Sequence, residues 1–384
     1  MSSHVLYVPS TNLIGRDCLK QAGPYLKQLQ FTKALLVTDK VLMSNGIVAK
    51  VVKLLEENDI GYILYDEVKP NPTVANCLNG LQVFRENNCD SIVSVGGGSP
   101  QDAAKAIGLL ATNDGDLKSF EGVGKTIHKS VPIAAINTTA GTSSEYTINY
   151  VITDEERQVK MVMVDKNSLA AISINDPELM TAKPKDLTAA TGMDALTHAI
   201  EAIVTPGAYK VTDAAALAAV EIIFEYLLPF AVQDGENIEA REQMVFAMFL
   251  AGVAFNNAGL GFVHAMAHQL GGVYDLPHGV CNAMLLPIVE RENAQRDPSK
   301  FPRIAKAIGM KTEGKTAISC AEEVIEAIKQ LSGIVGIPSN LSELGVTDVD
   351  VEKLARFALV DACAAGNPFQ PTKEEVIAMY QEIL

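Results

Sequence analysis

Between residues 34 and 136 short apolar runs alternate with stretches of helix length, and after about residue 178 the strand-like runs stop. The runs are ALLVT (34–38), YILY (62–65), SIVSV (91–95) and PIAAI (132–136), and the segments between them are amphipathic at helical spacing. Such a rhythm predicts parallel strands joined by helical crossovers. Beyond residue 178 the pattern is Ala-rich and helical, as in TDAAALAAVEIIFEYLLPFAV, REQMVFAMFLAGVAF and CAEEVIEAIKQL, with Pro177 and Pro184 punctuating the junction. The chain is therefore expected to form an α/β, Rossmann-like N-terminal domain over 1–178 and an all-α C-terminal domain over 179–384. HVLYVP with NLIGR suggests one more hairpin or edge strand, and 146–165, with DEERQ at its middle, suggests a hairpin.

At 384 residues the chain exceeds what one core usually fills, and it can bury enough surface to fold without disulfides or a structural metal. Lys and Arg number 31 against 46 Asp and Glu, a net charge of −15. That excess repels phosphate backbones and anionic lipid, which argues against nucleic acid and membrane surfaces as partners. The 6 cysteines are scattered without a CxxC pair and read as reduced cytosolic thiols. MSSHVLYVPS has no basic stretch followed by an apolar one, and Ser2 is not the glycine that myristoylation needs, so a soluble cytoplasmic protein is expected. The longest uncharged stretch begins at Gln243. Its apolar part, Met244 to Phe255, has the length of a buried core helix.

Gly96-Gly97-Gly98-Ser99-Pro100 follows the strand SIVSV and precedes the helical QDAAKAIGLLA. Glycines allow close backbone approach, and the free N–H groups of a helix start attract anions, so a pyrophosphate is the natural guest. The motif is not GxGxxG, since Gln101 takes the last glycine's place. Asp39 closes the strand ALLVT; it could accept ribose hydroxyls and repel a 2′-phosphate, favouring NAD over NADP, or simply cap a helix. NTTAGTSSE (137–145) falls at the same strand edge and offers short polar donors. Two phosphate-loop lookalikes fail. GMKTEGKT (309–316) follows a helical segment where a strand is required, and GVGKT (122–126) has Ser119 in place of the leading glycine.

Of the 6 histidines, His198, His264, His268 and His278 fall within one span. Asp194 and His198 are spaced i, i+4, as are His264 and His268, so each pair shares a helix face. One carboxylate with three imidazoles completes a shell for a divalent metal. Five candidates for about four positions leave one histidine free for proton transfer.

The segments GGGSPQDAAKAI, TTAGTSSE, TGMDALTHAIEA and FVHAMAHQLGGVYDLPHGVCNAMLLP resemble the iron-containing (group III) alcohol dehydrogenases over essentially the whole chain. SPQD, TINYVITDEE and GAYKVTDA resemble the branch acting on lactaldehyde, and AGVAFNN is shared with the branch acting on 1,3-propanediol. The resemblance implies the fold of that family, shared with dehydroquinate synthase, and hydride transfer between NAD(H) and short aldehydes or primary alcohols. Lactaldehyde and 1,2-propanediol are the leading pair. It implies Fe²⁺, with Zn²⁺ or another divalent ion able to replace it, on Asp194, His198, His264 and His278, which leaves His268 as the catalytic histidine. Asp39, Asn71, Gly97, Gly98, Ser99, Thr138, Thr139, Thr142 and Lys160 match dinucleotide-binding positions; Asn149, Val162, Phe255 and Cys363 match substrate positions. A homodimer or larger assembly is also implied. Ser143 departs from the small residue of the TTAGT loop, and Phe369 from the Arg that relatives carry after Asn-Pro. A metal-dependent hydrolase would leave the glycine turn idle. A lyase like dehydroquinate synthase would need a basic pocket where Phe255 and Val162 suggest an apolar one.

Overall fold

Alternation along the apolar runs decides which side chain meets which face of the sheet. Leu35, Ile92 and Ile133 pack on one side with Phe84 and Ile107, whereas Leu36, Val93 and Ala134 pack on the other with Leu26, Val51 and Leu55. A computed structural model describes residues 3–384. Its strands are β1 (Thr11–Ile14), β2 (Lys33–Val37), β3 (Gly61–Tyr65), β4 (Ser91–Gly96), β5 (Gly122–Val123), β6 (Ile133–Asn137), β7 (Asn149–Asp154), β8 (Val159–Val164) and β9 (Ile172–Asn175).

Six of them form one parallel sheet in the order β1-β9-β6-β4-β2-β3. Helices α1 (Ala22–Gln28), α2 (Lys40–Ser44), α3 (Ile47–Glu57), α4 (Val74–Glu86) and α5 (Gly98–Leu110) connect or flank the strands. The chain runs from β2 out to β3 and then returns to β4 on the other side of β2. This reversal opens a crevice at the carboxyl ends of β2 and β4, where α/β sheets bind ligands.

The four expected central strands and the 146–165 hairpin are present, the hairpin as antiparallel β7 and β8 in a small sheet with β5. At the N-terminus the outcome is an edge strand only. β1 pairs in parallel with β9, and residues 3–10 form no strand, with Val5 64% and Leu6 48% exposed. β9, which the apolar pattern did not reveal, has the sequence ISIN. Its polar residues are satisfied inside the sheet, Ser173 Oγ donating to Asn12 Oδ1 and Asn175 Oδ1 accepting from Asn137 Nδ2.

The chain divides into two units, residues 1–182 and 183–384. The second contains α6 (Lys185–Val204), α7 (Lys210–Tyr226), α8 (Ile238–Ala258), α9 (Phe262–Tyr274), α10 (His278–Arg296), α11 (Phe301–Ala307), α12 (Ala317–Ile334), α13 (Val351–Ala358) and α14 (Lys373–Gln381). α6 is buried almost all round from Thr188 to Val204, as suits a helix at the centre of its unit. Among the described residues no single helix is long and apolar enough to cross a membrane; α8 and α9 meet that test only as a pair bent by 102°. GMKTEGKT follows α11, with Gly309 at φ +80°, so it has no strand before it.

Candidate metal centre and dinucleotide site

In the α/β unit, β2, β4 and β6 are neighbours and parallel, so the residues that follow them share one edge. Asp39 follows β2, Gly97 and Gly98 follow β4, and Thr138, Thr139 and Thr142 follow β6. The Thr138 N–H donates to the Gly96 carbonyl at 3.1 Å, drawing the two loops together. A Cβ on Gly97 would lie 2.7 Å from Thr139 Cγ2, and one on Gly98 3.0 Å from Thr142 Cγ2. Only glycine lets the turn sit this close. α5 then begins at Gly98, with Ser99 in its first turn and no side chain capping it, so its first N–H groups and positive end remain for an anion.

Asp39 caps α2, accepting the Leu42 N–H at 2.9 Å through Oδ1. Lys160 Nζ donates to Asn71 Oδ1 at 2.7 Å, bringing together two residues far apart in sequence. Asn149 begins β7 and Val162 lies opposite Val151 in the β7–β8 pairing. Lys105 and Asp102 of α5 went unnoticed in the sequence although both lie in QDAAKAI. Lys105 Nζ donates to Asn149 O at 2.6 Å and to Ser144 Oγ at 3.0 Å. Asp102 accepts the Val151 N–H at 2.9 Å and also the Ser144 hydroxyl. Burial lowers the Lys105 pKa to about 8, against the opposing pull of Asp102 and Glu145.

The helical unit gathers the histidines. Asp194 and His198 project from α6, His264 and His268 from α9, and His278 opens α10. Donor atoms of Asp194, His198 and His264 all lie within 4.8 Å of one another, and all three residues are buried. His278 Nε2 is 3.7 Å from Asp194 Oδ1. His198 stacks on His264 at 4.6 Å between centroids, and Phe255 covers His198 from the α8 side at 4.2 Å. His268 stacks against His278 at 5.5 Å.

The donor set suits a cation. Asp194 Oδ1, His264 Nε2 and His278 Nε2 all face Asn282 Nδ2, at 2.7, 3.0 and 3.1 Å. An amide group has two N–H bonds and cannot satisfy three acceptors. The same side chain's Oδ1 is buried without a hydrogen-bond partner. One carboxylate oxygen and two imidazole nitrogens thus converge on one point, as ligands to a divalent ion do. Burial drives the His264 pKa down to about 3, so the imidazole is neutral, the form that binds metal.

His268 has its own partner, also unseen in the sequence. Asp361 Oδ2 receives His268 Nδ1 at 3.0 Å and the Gln269 amide at 3.2 Å. Asp361 Oδ1 accepts the Cys363 N–H at 2.9 Å, which brings Cys363 into the same cluster. Burial first, and then Asp361, holds the Cys363 thiol well above its ordinary pKa. The Phe369 ring supports the Arg296 guanidinium 3.9 Å from its centroid.

A parallel α/β unit with a glycine turn at its switch point, followed by a helical unit that gathers one Asp and three His, defines a metal-dependent dinucleotide enzyme class. The profile of the family described as "Iron-containing alcohol dehydrogenase" matches residues 9–177, and that of "Fe-containing alcohol dehydrogenase family, C-terminal" matches residues 188–384. The chain belongs to the iron-containing alcohol dehydrogenase family and is an oxidoreductase acting on alcohols and aldehydes. It is 48% identical to a 1,3-propanediol dehydrogenase of Citrobacter freundii, over 98% of this chain and 97% of that one. It is 43% identical to the lactaldehyde reductase of Escherichia coli K12, over 96% and 97% respectively. Among solved structures, a 1,3-propanediol oxidoreductase matches with a TM-score of 0.96 at 47% identity, covering 100% of both chains. A sulfoacetaldehyde reductase of Bifidobacterium kashiwanohense in complex with NAD⁺ matches with a TM-score of 0.88 at 28% identity, over 100% of this chain and 99% of that one.

Proposed function

We propose that this protein interconverts short-chain aldehydes and primary alcohols by hydride exchange with NAD(H). The observation that carries the reading is the convergence of Asp194 Oδ1, His264 Nε2 and His278 Nε2 on one point, beside the buried His198. Asp194, His198, His264 and His278 would hold a divalent ion, Fe²⁺ by family and Zn²⁺ by the same donor chemistry. When bound, that ion acts as a Lewis acid towards the carbonyl or alcohol oxygen, and the nicotinamide carries the hydride.

The chain's own residues do the rest. Gly97, Gly98 and Ser99 present the start of α5 to the pyrophosphate. Thr138, Thr139 and Thr142 line the adjoining loop, and Asn71 with Lys160 supplies a polar pair for the dinucleotide. Asp39 takes the ribose while capping α2. His268 moves the proton: its Nδ1–H is held by Asp361, which leaves Nε2 as the basic nitrogen. Phe255, Val162, Asn149 and Cys363 bound the substrate, with Phe255 also shielding His198 from water. In this reading residues 1–178 form the dinucleotide domain and 179–384 the metal domain of a cytoplasmic homodimer or larger assembly, which light scattering tests.

Two substrate pairs have support. The relative at 43% identity favours lactaldehyde and 1,2-propanediol, and the relative at 48% favours 3-hydroxypropanal and 1,3-propanediol. The test is NADH oxidation by anaerobically purified, Fe²⁺-loaded protein with lactaldehyde, 3-hydroxypropanal and propanal, beside a chelated control. Turnover that disappears with the chelator, and in Asp194→Ala with NADH binding retained, is expected. Full activity in Asp194→Ala would remove the metal assignment, and inertness towards every aldehyde in loaded, NADH-binding protein would remove the dehydrogenase reading.

A further inference from the structure

Glu201 lies on α6, seven residues after Asp194 and three after His198, so it projects from their face of the helix. It is only 1% exposed, a costly place for a carboxylate unless both oxygens are used. Oε1 accepts the Val263 N–H at 2.8 Å, and Oε2 is hydrogen-bonded to His264 Nδ1. Gly261, at the N-cap position of α9, contributes no side-chain cap, so a carboxylate from another helix performs that task. A Cβ on Gly261 would lie 3.1 Å from Glu201 Oε1, and the glycine leaves room for this approach.

The two edges of the His264 ring therefore meet opposite chemistry. Nδ1 faces an acceptor, Glu201, and Nε2 faces a donor, the Asn282 amide at 3.0 Å. The amide is oriented this way because the reverse would set its oxygen against the Asp194 carboxylate, 2.7 Å away. A neutral imidazole carries one N–H, and here it belongs on Nδ1. The lone pair is then on Nε2, on the side where Asp194 and His278 converge.

We infer that Glu201 is a positioning residue for the metal centre: it fixes the rotation and the tautomer of His264, so that Nε2 is ready to bind the ion. The same carboxylate anchors the first turn of α9 to α6, which joins the helix carrying Asp194 and His198 to the one carrying His264 and His268. This inference rests on the reading of His264 as a metal ligand.

Glu201→Gln isolates the effect. Gln keeps the size and, with its oxygen on Val263, must turn its NH₂ towards His264 Nδ1. That drives the ring proton to Nε2, where it blocks ligation. Equilibrium dialysis with Co²⁺ should show affinity reduced about 10–100-fold, with an altered visible Co²⁺ spectrum and unchanged NADH binding. Wild-type affinity and spectrum in Glu201→Gln, while His264→Ala loses the ion, would overturn the positioning role alone. Equal Co²⁺ binding by wild type and His264→Ala would instead overturn the ligand assignment beneath it. Nitrogen-15 NMR of the histidine-labelled wild-type apoprotein reads the tautomer without any substitution. Nδ1–H is expected for His264, and Nε2–H would refute the inference.

Discussion

At Gly279 the start of α10 lies against α6 beside Asp194, one of the proposed metal ligands, and Gly279→Ala is a sharp test of how that site is built. A Cβ there would lie 2.4 Å from the Ala190 carbonyl oxygen and 3.3 Å from Asp194 Cβ. Ala190 is inside α6, where its carbonyl's partner in the helical ladder is the Asp194 N–H, so it cannot swing aside cheaply. Relief must come from moving α10 off α6 by about 1 Å, the gap between 2.4 Å and an ordinary contact of 3.4 Å. Asp194 stays with α6 and His278 with α10, and their facing atoms are now 3.7 Å apart. Metal–ligand distances tolerate only about 0.2 Å, so a shift of this size takes one donor out of reach. The overpacking itself should cost about 1–3 kcal/mol, read as a lower unfolding temperature of the metal-free protein. Ion affinity, read by dialysis, should fall by no less than the roughly 10–100-fold that loss of a supporting contact brings. Gly333→Ala is the control. It lies in α12 with no atom within 4 Å of its would-be Cβ, and should gain about 0.4–1 kcal/mol. Wild-type stability and wild-type metal affinity in Gly279→Ala would refute this account of the helix contact.

Lys105→Met removes the ammonium that ties α5 to Ser144 and Asn149. Leaving buried hydrogen-bond acceptors unsatisfied costs roughly 1–3 kcal/mol, so chemical denaturation should show a loss of that order and fluorescence titration a weaker NADH complex; no change in either would contradict the network's role. Asp154→Asn tests pH linkage. Burial alone would raise the Asp154 pKa, but hydrogen bonds from Arg157, Lys118 and the Glu156 N–H outweigh it and hold the carboxyl at about 2. A depressed carboxylate stabilises above its unfolded value, near 3.8, and that contribution is lost as pH falls through about 2. Wild type should be more stable than Asp154→Asn at roughly neutral pH, with the gap closing in acid; equal stability at neutral pH would show that the hairpin gains nothing from this residue.

The central strands were legible because burial on both faces imposes continuous apolar runs, and β4 is buried at every position. The glycine turn was legible because its position between a strand and a helix restricts what it can do. The residues proposed as metal ligands were legible in part through i, i+4 spacing, a property of one helix that needs no partner.

What the sequence did not disclose depends on distant residues meeting. ISIN became a strand only because β1 and β6 flank it, and its polar side chains find partners there. HVLYVP has the apolar look of a strand, yet residues 3–10 form none, and Val5 and Leu6 lie exposed. The contacts of Glu201 with His264, Asn282 with Asp194 and Asp361 with His268 span 63, 88 and 93 residues. Local chemistry along the chain determined the α/β and helical halves, the turn that suits a pyrophosphate and the histidine-rich residues proposed as metal donors. Tertiary packing alone decided which carboxylate orients which imidazole, because a hydrogen bond between helices is set by where those helices cross and leaves no periodic trace in either of them.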